Sequence, residues 1–150
     1  MFKKLVVPVD GSEPSNEATS LAVQFAKDQH AAIVFCHAID EVSMIRAAAA
    51  AGVDWQPGVD DLRREGQRVL DAALARATQA GVAAKVVMTD RSPVDGVLES
   101  VKDHNADLIV MGTHGRKGFS RAVLGSTTEG VLRHAHVPVL VSTPPAKVVV

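Results

Sequence analysis

Residues 107–142 read DLIVMGTHGRKGFSRAVLGSTTEGVLRHAHVPVLVS, and the reading of this stretch decides the fold. Its apolar run LIVM is too brief for a helix and is closed by Gly112, the pattern of a parallel strand covered on both faces. A basic, glycine-rich loop follows, and a later glycine, Gly125, opens a helix through Ser126, Thr127 and Thr128. Gly112 and Gly115 carry no Cβ, so they are read as a tight turn whose backbone can approach a ligand. Gly125 and Ser126 are read as bringing unpaired N–H groups to a helix start, where the macrodipole places roughly half a positive charge. Nothing acidic lies between Gly112 and Thr128, whereas Arg116, Lys117 and Arg121 all do. Such a site suits phosphate.

Outward from this stretch, apolar runs alternate with helical patterns. Strands are expected over residues 3–9, 31–39, 83–89, 108–111 and 137–141. The first helix should turn Ala18, Leu21, Ala22 and Phe25 inward. A longer stripe of Leu62, Gly66, Val69, Leu70, Ala73 and Ala77 is closed by Gly81, and Pro93 opens a helix with Val94, Val97, Leu98 and Val101 inward. Residues 41–58 are the least regular, with an Ala-rich turn or two ending at Gly52, and the role of Ser43 to Gly58 stays open. The alternation predicts an α/β, three-layer sandwich with a five-stranded parallel sheet of order 3-2-1-4-5. Ligands in such sheets bind beyond the carboxyl ends of the strands, where the winding reverses. The crevice then falls between the first and fourth strands, which exit at Asp10 and Gly112.

Length and composition set the outer limits. The 150 residues suit one domain, large enough to bury a core without disulfides or metal. A net charge of −1 supplies no global field for nucleic acid or an anionic membrane. Four Phe, one Trp and no Tyr argue against a stacking surface for single strands. The single cysteine, Cys36, lies in an apolar run and reads as a small buried hydrophobe. The opening residues lack a signal-type apolar region and no stretch approaches a membrane span, so a cytoplasmic protein is expected.

The spacing Gly112-x2-Gly115-x9-Gly125-Ser126, the opening LVVPVDGSEPSNEA and the ending HVPVLVS resemble the ATP-binding branch of the universal stress protein family. That resemblance implies a flavodoxin-like sandwich, ATP or AMP in the crevice with Mg²⁺ held through the phosphates, and a homodimer. It places Asp10 on the ribose, the Ala38 backbone on the adenine edge, and Pro8, Val9 and Met111 around the base. His114 would contribute a backbone contact to ribose or phosphate. The dimer would form through residues 137–141, with Val137 and Val141 at its ends, an apolar edge that no lysine guards.

Each residue also has a plainer reading. Asp10 and Glu13 have capping-box spacing, although Ser12 is an equally good cap. Ser126 and Glu129 form a second capping box, so the hydroxyls from Ser126 to Thr128 serve phosphate, the helix, or both. Ala38 and Met111 are also ordinary core residues, and loop glycines are often only turns. Arg116, Lys117 and Arg121 clamp phosphate or belong to a solvated basic loop. His134 and His136 have no third ligand nearby, and His30, His37 and His104 carry no pattern. No Walker sequence, no GxGxxG after the first strand and no HExxH is present. No base is placed to activate water. The expectation is a regulatory nucleotide-binding module without catalytic residues and with an unidentified protein partner. A slow ATP hydrolase or phosphotransferase, and an interaction protein with an empty crevice, are the alternatives.

Overall fold

The structure, a computed structural model, describes residues 1–113 and 124–143. Five strands, β1 (Lys4–Pro8), β2 (Ala32–Ala38), β3 (Ala84–Thr89), β4 (Leu108–Gly112) and β5 (Val139–Ser142), form one parallel sheet of order β3-β2-β1-β4-β5. The helices are α1 (Glu13–Gln29), α2 (Glu41–Ala50), α3 (Gln56–Gln79), α4 (Pro93–His104) and α5 (Ser126–His134). The expected sheet and winding are the ones observed.

Period-two alternation splits the strand side chains between two cores. Leu5, Val7, Ile33, Phe35 and Val110 pack with Ala22 and Ala26 of α1 and Leu70, Ala73 and Ala77 of α3. Val6, Val34, Cys36, Ile109 and Met111 pack on the opposite face with Val97 of α4 and Val131 of α5. Both faces are covered, which is why the strands read as continuous apolar runs. Asp107 starts β4 by a double tie. Its N–H donates to the Lys4 carbonyl at 2.9 Å, while its carboxylate accepts the amides of Lys3 and Lys4 at 2.9 and 3.0 Å.

Three expectations shift. In α1 the buried line is Ser15, Ala18, Thr19, Ala22, Val23 and Ala26, and Leu21 stays 39% exposed. Small residues four apart let this helix lie close to the sheet, and Leu21 falls to the side of that ridge. The Ala-rich turn or two is a ten-residue helix, α2, with no buried residue. Alanine propensity and the Asp40 cap, whose carboxylate accepts from the Ser43 amide, sustain it in place of a core. The last strand begins at Val139 and extends to Ser142, not over residues 137–141. Pro138 has no N–H for the ladder and contributes only its carbonyl, which accepts from the Ile109 amide at 3.0 Å. Among the described residues no helix is long and apolar enough to cross a membrane.

Candidate functional site

The crevice opens where β1 and β4 part, and Pro8 helps them part. Along β1 the Lys4 amide faces the β4 side and the Val9 amide faces β2, where it donates to the Cys36 carbonyl at 2.8 Å. Alternation directs the position of Pro8 toward β4, and proline has no hydrogen to give. Pairing of β1 with β4 accordingly stops at Val6 and Ile109, whereas pairing with β2 runs on to Pro8 and Cys36. Beyond that gap lies a cavity of about 370 Å³. Its walls include Pro8, Val9 and Asp10 from β1 and its exit, Cys36, His37 and Ala38 from β2, and Met111 and Gly112 from β4. Gly125, Ser126, Thr127 and Thr128 close it from α5, and Pro93, Gly96 and Val97 from α4.

Asp10 is not the cap of α1. Ser12 takes that place with extended backbone and accepts from the Ser15 amide at 3.3 Å. Asp10 Oδ1 instead accepts from the Ser12 amide and hydroxyl at 2.9 and 2.5 Å, and the Asp10 amide donates to Ser15 Oγ at 3.1 Å. The carboxylate is therefore set in one orientation at the cavity rim, a preorganised acceptor for hydroxyl groups.

At the far wall the start of α5 is bare. Gly125 is the N-cap with extended backbone and offers no side chain, so the Ser126 to Glu129 capping box does not form. The first intrahelical bond runs from the Glu129 amide to the Gly125 carbonyl at 3.0 Å, which leaves the amides of Ser126, Thr127 and Thr128 at the helix mouth. The Gly125 amide, expected to be one of these donors, is already spent on the Thr113 carbonyl at 2.7 Å. Thr128 is 2% exposed, and its hydroxyl donates to the Gly112 carbonyl at 2.8 Å. Thr128 can therefore offer an anion its amide, not its hydroxyl hydrogen. The Gly112 carbonyl faces the crevice, and its capture by Thr128 removes a lone pair that would repel an anion.

Gly112 is required by packing more than by turning. A Cβ there would sit 2.9 Å from the Pro14 carbonyl oxygen, because the first turn of α1 crosses the end of β4. Gly96 has a similar duty: its missing Cβ would lie 2.9 Å from Thr89 Cγ2, so α4 can close the cavity against the ends of β2 and β3. Burial pushes the Cys36 thiol up to about 12 despite an opposing hydrogen bond with Ser100, which makes it an inert part of the wall. The expectation of a small buried hydrophobe holds.

Six lining residues, Ser15, Cys36, His37, Pro93, Gly96 and Val97, fall outside the site expected from the sequence. Ser15 and Gly96 carry no recognisable signal, being a hydroxyl and a glycine inside helices. His37 belongs to no sequence pattern, yet it lines the cavity and its Nδ1 donates to the Val9 carbonyl at 2.7 Å. His114, Gly115 and Arg116, with Lys117 and Arg121, lie outside the described residues. Among the described residues no group of His, Cys, Asp or Glu is arranged to hold a metal ion.

Known proteins of the same kind are numerous. The sequence model described as "Universal stress protein family" matches residues 1–143. Universal stress protein MJ0531 of Methanocaldococcus jannaschii is 37% identical over 147 residues, covering 98% of this chain and 85% of that protein. Universal stress protein YxiE of Bacillus subtilis is 30% identical, covering 94% of this chain and 99% of that one. Among solved structures, MJ0577 superposes with a TM-score of 0.82 at 24% identity over 98% and 99% of the two chains, which concerns the fold alone. A universal stress protein solved in complex with cAMP gives a TM-score of 0.66 at 26% identity over 95% and 97%. With a match that spans both walls of the crevice and nearly the whole sheet, this chain belongs to the universal stress protein family.

Proposed function

We propose that the chain is a cytosolic, dimeric regulatory module that holds ATP or AMP in the crevice and signals by its nucleotide state. The observation that carries this reading is the division of labour across one cavity: bare helix amides and no acidic side chain at the α5 wall, an oriented carboxylate at the β1 exit. The first suits a phosphate tail and the second suits ribose hydroxyls. A relative at 26% identity solved with cAMP supports an adenine ligand. Mg²⁺ would be carried by the phosphate oxygens, its usual habit with nucleotides. Asp10 is engaged by Ser12 and is not poised as a base toward water, which favours binding over turnover. The edge strand β5 is the proposed dimer seam, since among the described residues it ends the sheet with no strand paired on its outer side.

Calorimetric titration with ATP, AMP, cyclic AMP and GTP, alongside phosphate release, tests the reading. Adenine nucleotides should bind with release slower than about one per second. Asp10→Asn should weaken ATP about tenfold, the loss expected for one hydrogen bond to a charged acceptor. Release faster than that, abolished in Asp10→Asn, would establish a hydrolase. No heat with millimolar ATP would leave the crevice without this purpose.

A further inference from the structure

The β1–β2 ladder ends one rung early, and a side chain ends it. In a parallel pair, a residue that donates its amide to one strand neighbour accepts from the residue two further along. The Val9 amide donates to the Cys36 carbonyl at 2.8 Å, so the following rung would run from the Ala38 amide to the Val9 carbonyl. That rung is missing: pairing stops at Pro8 and Cys36, and no backbone bond of Ala38 to Val9 forms. The Val9 carbonyl is instead taken by His37 Nδ1–H at 2.7 Å.

The ring reaches that carbonyl from the α3 side. A Cβ on Gly66 would lie 2.6 Å from His37 Cδ2 and 3.0 Å from Nε2, so only glycine leaves room for the imidazole between α3 and the sheet. One lone pair of the Val9 carbonyl is thus engaged from the α3 side of the sheet. Because the Nδ1 hydrogen is committed to an acceptor that cannot donate, Nδ1 carries the proton in the neutral ring. The Ala38 amide is left facing β1 beyond its last rung, at the cavity wall.

We infer that His37 is a positioning residue: by occupying the Val9 carbonyl it withholds that acceptor from the Ala38 amide and so presents the amide to the base of a bound nucleotide. The nucleotide part rests on the function proposed above; the ladder part does not. His37 also tethers the residue before Asp10, which couples the two ends of the β1 exit.

Two variants separate these roles from simple packing. His37→Leu fills the space but donates nothing, whereas His37→Asn places a side-chain N–H near the position of Nδ1. Hydrogen exchange on the nucleotide-free protein should find the Ala38 amide unprotected in the wild type and in H37N, and protected in H37L once the rung closes. ATP affinity should fall about tenfold in H37L and stay within about twofold in H37N, the scale of one hydrogen bond. Loss of packing alone would lower thermal stability in both variants without separating them in affinity. A protected Ala38 amide in the wild type overturns the inference, as does H37L binding ATP like the wild type. If the exchange pattern holds but wild-type protein binds no ATP, the ladder role stands and nucleotide recognition falls with the proposed function.

Discussion

Replacing Thr128 by valine asks whether its hydroxyl serves the fold or the ligand. The side chain is 2% exposed and its hydroxyl bridges α5 to β4 through the Gly112 carbonyl at 2.8 Å. Valine keeps the shape and removes only that donor. The lost bond is worth about 1 kcal/mol, and an acceptor left unpaired adds about 1–3 kcal/mol when buried. The bond is buried, so the total should be about 2–4 kcal/mol. For a chain of 150 residues this lowers the melting temperature by about 4–16 °C. Urea and thermal melts measure the loss, and titration with ATP measures affinity on the same samples. Thr128→Val should lose stability and keep its affinity within about threefold, because the phosphate-facing donor is the amide. Thr128→Ser should restore most of the stability. A Thr128→Val protein with unchanged stability and affinity reduced about tenfold would refute the reasoning, since the hydroxyl would then be a phosphate donor.

Two further outcomes follow from packing and charge. Gly112→Ala should cost about 1–3 kcal/mol in a urea melt, because the new methyl meets the Pro14 carbonyl, backbone that cannot swing aside; a change below about 0.5 kcal/mol would return Gly112 to the role of a turn residue. Burial acts to raise the Asp107 carboxyl, but the Lys4 and Lys3 amides outweigh it and hold the group below the usual carboxylate range. Its stabilisation is therefore complete above the unfolded carboxylate value of about 4 and is lost as pH falls through the lower folded value. Asp107→Asn should be less stable than wild type by about 1 kcal/mol at pH 7, and the gap should close in melts below that window; a gap constant down to pH 2 would contradict the sign.

Much of the architecture was legible in the chain. Runs such as LIVM and AAIVFCHAI, each between helical stripes, leave a parallel sheet as the economical arrangement, because strands covered on both faces need no polar alternation. The cavity wall at Gly125 to Thr128 was legible too, since a glycine before hydroxyl residues marks a helix start. Donor assignments were not. Whether Ser126 caps α5, whether Asp10 caps α1, and which carbonyl takes the Thr128 hydroxyl depend on one-residue offsets that capping patterns leave degenerate.

The order of apolar and polar residues by itself determined the layers, the winding and the place of the crevice, because burial follows local periodicity. Only the tertiary structure decided the roles of His37, Gly66, Gly96 and Gly112. Each of these acts on a partner distant in the chain or on a neighbouring element: a carbonyl at the exit of β1, a ring against α3, a threonine on β3, a proline carbonyl on α1. No local pattern encodes such contacts, since they exist only once the elements have packed to within a few ångströms of one another.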